Sequence, residues 1–238
     1  MSSKTVFFDM GGTLVDSPDI FETITRRLAG RWPDKETYDL AFETYHGMIS
    51  AIRYEEGRYP FKNVADLHAA TLALLARQYG YRDISGQARD ICLDAYAHKS
   101  SLFPETIPVL EKLLKNGVKM IIASDNDSEI LEVQLAKHGL DKYFVDNCIS
   151  ETARAYKPAN GFVNNLRKYV PNDEKDCYFV GDSPVDVESG KRLGIQSVLL
   201  DRRNAGINTN ADYVVYDLNG LVRLLRLEWP NVRATDSI

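Results

Sequence analysis

Four short apolar runs along this chain each close on a polar residue, with helical patterns between them. The first, KTVFFD at residues 4–9, shows no polar alternation and stops at a Gly-Gly pair, as expected of a strand buried on both faces of a sheet. VKMIIASD at 118–125, KDCYFVGD at 175–182 and QSVLLD at 196–201 repeat the pattern, and DYVVYDL at 212–218 reads as a further, weaker strand. Residues 104–115, 128–138, 159–169 and 185–193 instead space their apolar side chains by three and four, with Gly117 and Gly194 where the first and last helices should stop. Strands alternating with helices predict an α/β protein with a doubly wound, parallel-sheet, Rossmann-like core.

Residues 17–101 have a different character. They hold no convincing strand, and aromatic-rich amphipathic segments such as ADLHAATLALLARQYG predict four or five helices. The expected organisation is a core formed by residues 1–16 and 102–230, an inserted all-helical cap at 17–101, and a polar tail at 231–238. An insertion directly after the first strand places the cap over the carboxyl ends of the sheet, where open α/β folds bind ligands.

Composition narrows the function. With 238 residues, 44% hydrophobic, 26% charged and a net charge of −5, the chain lacks the basic excess that phosphate-backbone binding requires. Nucleic acid is therefore excluded as an expected partner. The apolar run before Asp9 is too short for a signal sequence or a membrane span, which predicts a cytoplasmic protein without a membrane partner. Cys92, Cys148 and Cys177 are widely spaced among apolar residues, which suits buried free thiols rather than a disulfide framework or a zinc site.

The candidate chemistry lies where the predicted strands end. Asp9 closes the first strand before a flexible turn whose amides can face an anion, a way to aim a nucleophile at phosphorus. Ser124, at the end of the second core strand, offers a hydroxyl to the same oxygens, and the amide of Asp125 follows it. Lys157, in a loop before a helix, can neutralise both a carboxylate and a transferring group. Asp182 ends another strand and Asp186 lies four residues on, in the first turn of a helix, so both can reach one hard cation. Each feature alone has an ordinary alternative: a turn cap, a strand-end serine, a surface lysine, a helix-capping aspartate.

Together, and in this order, these segments resemble the signature of the haloacid dehalogenase superfamily of phosphohydrolases, and the resemblance spans nearly the whole chain. Asp9, Ser124, Lys157 and the pair Asp182 and Asp186 match its nucleophile, hydroxyl, lysine and acidic-pair positions in turn. The helical cap after the first motif looks like the subgroup of phosphoglycolate phosphatases, phosphonate hydrolases and dehalogenases. The resemblance implies a magnesium-dependent hydrolase acting on a small phosphorylated metabolite through an aspartyl-phosphate on Asp9. It also implies Mg²⁺ held by Asp9, Asp182, the Gly11 carbonyl and waters, with Asp186 binding it through water or orienting Lys157.

One position departs from the pattern. Phosphatases of this family carry a second aspartate two residues after the nucleophile, as acid and base; here that residue is Gly11. General acid-base help is worth about 10² to 10⁴ in rate, so three readings stay open. A cap residue or water supplies the proton in a phosphatase; the cap segment 46–62 offers His46, Arg53, Glu55, Glu56 and Arg58 for this role, with Arg53 and Arg58 as substrate candidates. Alternatively the chain hydrolyses phosphonates through a cap lysine, of which Lys35, Lys62 and Lys99 are candidates, or it is a slow phosphoryl-binding regulator. True dehalogenases also lack the second aspartate but do without the metal, so Asp182 and Asp186 argue against that chemistry. Asp125 stands where relatives often carry Asn, and its side chain is expected to point away from the site.

Overall fold

A computed structural model describes residues 4–17, 19–30, 34–55, 57–170 and 174–227 of the protein. The expected tail at 231–238, the end of the core segment at 228–230, and Glu56 lie outside the described residues. Six parallel strands form the central sheet: β1 (Thr5–Phe8), β4 (Lys119–Ser124), β5 (Asp146–Ile149), β6 (Cys177–Gly181), β7 (Gln196–Leu200) and β8 (Tyr213–Val215), in the order β5-β4-β1-β6-β7-β8. Successive residues of β1 face opposite ways. Val6 and Phe8 pack with Met120, Ile122 and Val180 on one side, while Phe7 packs with Ile121, Ala123 and Phe179 on the other. Both faces are covered, the first by α5 (Thr106–Lys115) and α10 (Leu218–Leu224), the second by α8 (Asn160–Leu166) and α9 (Pro184–Leu193), and this explains the unbroken apolar runs.

The strands and helices read from the pattern are present, and α6 spans Ser128–His138. The structure adds elements the pattern did not show. Strand β5 has the sequence DNCI and exposes its first two residues at the sheet edge, so it carries no apolar run. Helix α10 contains Gly220, whose absent Cβ would stand 2.8 Å from the Val215 side chain, and Asp217 caps it by accepting the Gly220 N–H at 2.8 Å. A small residue needed for close packing here hides a helix that propensity alone would disfavour.

Residues 20–98 form the helical cap: α1 (Ile20–Ala29), α2 (Lys35–Tyr54), α3 (Val64–Tyr79) and α4 (Ala88–Leu93), the last continuing through one π-helical turn, Asp94–His98. Their apolar faces share a cluster around Ile24, Leu67, Leu72 and Leu75, which Tyr156 of the core joins. The chain crosses between sheet and cap twice, and β2 (Val15–Asp16) pairs antiparallel with β3 (Ser101–Leu102) where it does. Asp127 of the core supplies the N-terminal cap of α3, its two oxygens accepting the Val64 and Ala65 N–H groups at 2.8 and 2.9 Å. The Tyr156 hydroxyl donates to the Lys62 carbonyl at 2.7 Å. All three cysteines are buried, and none forms a disulfide among the described residues. No helix among the described residues is long and apolar enough to cross a membrane.

His68 is the weak point of the cap interior. It is fully buried, stacked on Tyr45 at 4.4 Å, and neither ring nitrogen has a hydrogen-bond partner among the described residues. Burial, and after it the neighbouring His46, pushes its pKa down to about 3. A histidine that titrates near 6.5 when unfolded then favours the folded state fully above that pH and loses the contribution as pH falls toward 3, because only the unfolded chain takes up the proton. His68→Phe keeps the stacking and removes the orphaned nitrogens, so it is expected to stabilise the protein. The gain should be larger by about 2 kcal/mol at pH 5 than at pH 8, as read by urea unfolding at the two values.

Candidate active site

Strands β1, β4 and β6 lie side by side, so the loops at their carboxyl ends converge over one point of the sheet. Asp9 stands there, 7% exposed. Its Oδ1 accepts hydrogen bonds from Ser124 Oγ at 2.9 Å and Lys157 Nζ at 2.6 Å. No hydrogen bond among the described residues engages Oδ2, so one oxygen is oriented and the other is available. Lys157 also donates to Asp186 Oδ1 at 2.7 Å. The second oxygen of Asp186 accepts from Ser183 N and Oγ at 3.1 and 2.6 Å, closing a capping box at the start of α9. One oxygen of Asp186 thus serves the helix cap and the other meets Lys157.

Asp9, Asp182 and Asp186 each bring a carboxylate oxygen within 4.8 Å of the others. Burial, and then the attraction of Lys157 working against it and the repulsion of Asp186 adding to it, leaves Asp9 pushed up to about 6. Asp182 is pushed up to about 7 by burial and by the charges of Asp9 and Asp186. For Lys157 the penalty of burial is outweighed by Asp186, Asp9 and Asp125, and its pKa lies above the ordinary lysine value. Three crowded carboxylates supplying only oxygen suit a hard divalent cation, whose charge offsets the repulsion among them.

Two glycines permit this crowding. Gly12 has φ +71°, and a Cβ there would fall 2.0 Å from Asp182 Oδ2; a Cβ on Gly181 would fall 2.2 Å from Asp186 Cγ. Gly11 differs from both. A Cβ at that position would meet nothing closer than Ser17 Oγ at 3.4 Å, an ordinary contact, so crowding at Cβ does not explain the glycine.

The cap closes the site into a cavity of about 510 Å³. Asp9, Gly11, Ser124, Asp125 and Lys157 line it from the core, and Tyr45, His46, Arg53 and Tyr96 from the cap. Arg53 donates through a terminal nitrogen to Asp125 Oδ2 at 2.9 Å, while its buried Nε has no partner among the described residues. Asp125 departs from expectation: its carboxylate turns inward, with Oδ1 accepting the Lys157 N–H at 2.8 Å and Oδ2 held by Arg53. Those two donors stabilise a charge that burial opposes. Arg58 is not brought to the cavity; it lies exposed on the surface, paired with Glu55. Lys35, Lys62 and Lys99 are exposed and do not line the cavity either. Tyr45 and Tyr96 were not singled out from sequence, because an aromatic at helical spacing reads as core until a cavity is seen beside it.

A hydrolase family model, that of the haloacid dehalogenase-like hydrolases, matches residues 3–194. A phosphoglycolate phosphatase of Vibrio parahaemolyticus is 26% identical over 237 residues, covering 93% of this chain and 96% of its own. An (S)-2-haloacid dehalogenase 4A of Burkholderia cepacia is also 26% identical, covering 96% of this chain and 94% of its own. Among solved structures, the HAD-hydrolase YfnB of Bacillus subtilis, bound to magnesium, superposes with a TM-score of 0.76 at 18% identity, over 95% of this chain and 100% of its own. The chain thus belongs to the haloacid dehalogenase-like hydrolases, and it is an enzyme of that family with a Rossmann-like core and a helical cap.

Proposed function

We propose that the protein is a Mg²⁺-dependent phosphatase of a small phosphorylated metabolite, with Asp9 as nucleophile. The observation that carries this reading is the division of labour on Asp9: Ser124 and Lys157 hold Oδ1, and Oδ2 is left to react. Attack on phosphorus forms the aspartyl-phosphate and breaks the ester bond; water then hydrolyses the acyl phosphate and restores the carboxylate. Lys157 neutralises charge on the phosphoryl oxygens and Ser124 orients them. Asp9, Asp182 and the Gly11 carbonyl would hold the cation, with Asp186 reaching it through water or orienting Lys157, and the cation would offset negative charge on the phosphoryl group. Asp9, Asp125, Asp182 and Asp186 face Lys157 and Arg53, so the ionised cluster has two negative charges in excess, a deficit one divalent cation fills.

The cap shapes the choice of substrate. The unpartnered Nε of Arg53 and the hydroxyls of Tyr45 and Tyr96 suit a polar or anionic group beyond the phosphate, as in a small phosphorylated carboxylic acid such as 2-phosphoglycolate. With Gly11 unable to transfer a proton, His46, which lines the cavity, or a water takes that role. The phosphonate reading is not favoured, since it needs a lysine from the cap in the cavity.

The test is phosphate release from para-nitrophenyl phosphate and from 2-phosphoglycolate, with Mg²⁺ and with a chelator. Release is expected only with the metal. Protons compete with the cation at Asp9 (about 6) and Asp182 (about 7), so Mg²⁺ affinity is expected to be full above pH 7 and to weaken progressively as pH falls through 7 and 6. Metal-independent turnover, or none on any small phosphate ester, overturns the reading.

A further inference from the structure

The turn that follows Asp9 is held from outside by a residue far along the chain. Within the turn, Met10 O accepts the Leu14 and Val15 N–H groups at 2.9 and 3.0 Å, and Gly12 N donates to Val15 O at 2.8 Å. The Gly12 and Thr13 carbonyls point the other way, toward Arg202, which lies just beyond β7. Arg202 Nε donates to Gly12 O at 3.1 Å and one terminal nitrogen donates to Thr13 O at 2.7 Å. The other terminal nitrogen pairs with Glu105 Oε1 at 2.6 Å, and the guanidinium lies 3.5 Å over the Phe103 ring. All three nitrogens are engaged, and the side chain is 16% exposed.

We propose that Arg202 is a positioning residue for the cation site: by fixing two consecutive carbonyls it sets the turn so that Gly12 lies against Asp182 and the Gly11 carbonyl stays beside Asp9. The tolerance there is small, because Gly12 leaves no room for even a methyl group between the turn and the Asp182 carboxylate. A planar fork can hold two carbonyls and a carboxylate at once, whereas an ammonium on a flexible stem holds them without fixing their plane. Partners behind a metal's ligands, when lost, typically cost about 10 to 100-fold in metal affinity.

This inference rests on the cation site of the proposed function. Mg²⁺ binding to wild type, Arg202→Lys and Arg202→Met is measured by calorimetry, alongside the melting temperature without metal. The expected result is affinity about tenfold weaker in Arg202→Lys and weaker still in Arg202→Met. Glu105→Gln, which keeps Arg202 and its carbonyl bonds but removes the ion pair, covers the case in which the others fail to fold; a fewfold loss is expected there. Unchanged affinity in a folded Arg202 variant, or in Glu105→Gln if neither folds, makes Arg202 a purely structural clamp and overturns the inference. Absence of Mg²⁺ binding by the wild type overturns the proposed function and this inference with it.

Discussion

Asp9→Asn is expected to reduce phosphate release by at least about 10³-fold, the scale on which enzymes lose turnover when the nucleophile is removed. The amide keeps the shape of the carboxylate and can still accept from Ser124 and Lys157, so substrate binding should change far less than turnover. The same substitution is expected to raise, not lower, the melting temperature of the metal-free protein at pH 8. In the folded state Asp9 is pushed up to about 6 from an ordinary value of 3.8, so its ionisation opposes folding. That penalty is absent below pH 4, grows as pH rises through 4 to 6, and is complete at pH 8. Asparagine never ionises and escapes it. Loss of activity with gain of stability, read by phosphate release and by thermal melting without metal, marks a charge kept for chemistry. A variant that retains turnover removes Asp9 from the mechanism.

Gly11→Asp is expected to raise kcat by about 10²-fold, the lower end of what general acid-base catalysis contributes. The backbone at Gly11 lies outside the left-handed region and a Cβ meets only Ser17 Oγ at 3.4 Å, so the backbone admits an aspartate at a position that lines the cavity. The neighbouring Gly12 accepts no such change, with its positive φ and the Asp182 carboxylate in the way. If His46 and water replace an aspartate poorly, the second chemical step is the slow one, and rapid-quench kinetics of the wild type should show a burst of about one leaving group per site followed by slow release. The variant should lose the burst and turn over continuously. A kcat that stays level or falls in Gly11→Asp shows that His46 or water already supplies the proton well enough. A burst without measurable turnover in the wild type supports instead the reading of a slow phosphoryl-binding regulator.

Much of the fold was legible because strands buried on both faces leave an unmistakable trace. KTVFFD and VKMIIASD have nowhere to put a polar side chain, since Val6 and Phe8 face one layer of helices and Phe7 the other. Strand β5 escaped because two of its four residues face solvent at the sheet edge. The site was legible for a related reason. A carboxylate directly after an apolar run is costly to bury unless it has partners, so Asp9 and Asp182 called for explanation before any contact was seen. Asp125 shows the limit of that logic. Its neighbours in sequence suggested that it should turn away, and only the approach of Arg53, 72 residues distant, and of the Lys157 N–H makes its inward position tolerable.

By itself the sequence determined the order of most strands and helices, β5 and α10 excepted, the helical insertion after the first strand, and the identity of the clustered acids and lysine, because those follow from local periodicity and from which residues end each run. The tertiary structure alone decided which oxygen of each carboxylate does what, which cap residues face the cavity, and that Arg202 reaches back to the turn after Asp9. Most of those outcomes depend on distances between segments far apart in the chain, from 72 residues for Arg53 and Asp125 to 190 for Arg202 and Gly12. No local pattern encodes such distances; the packing of the whole sheet sets them.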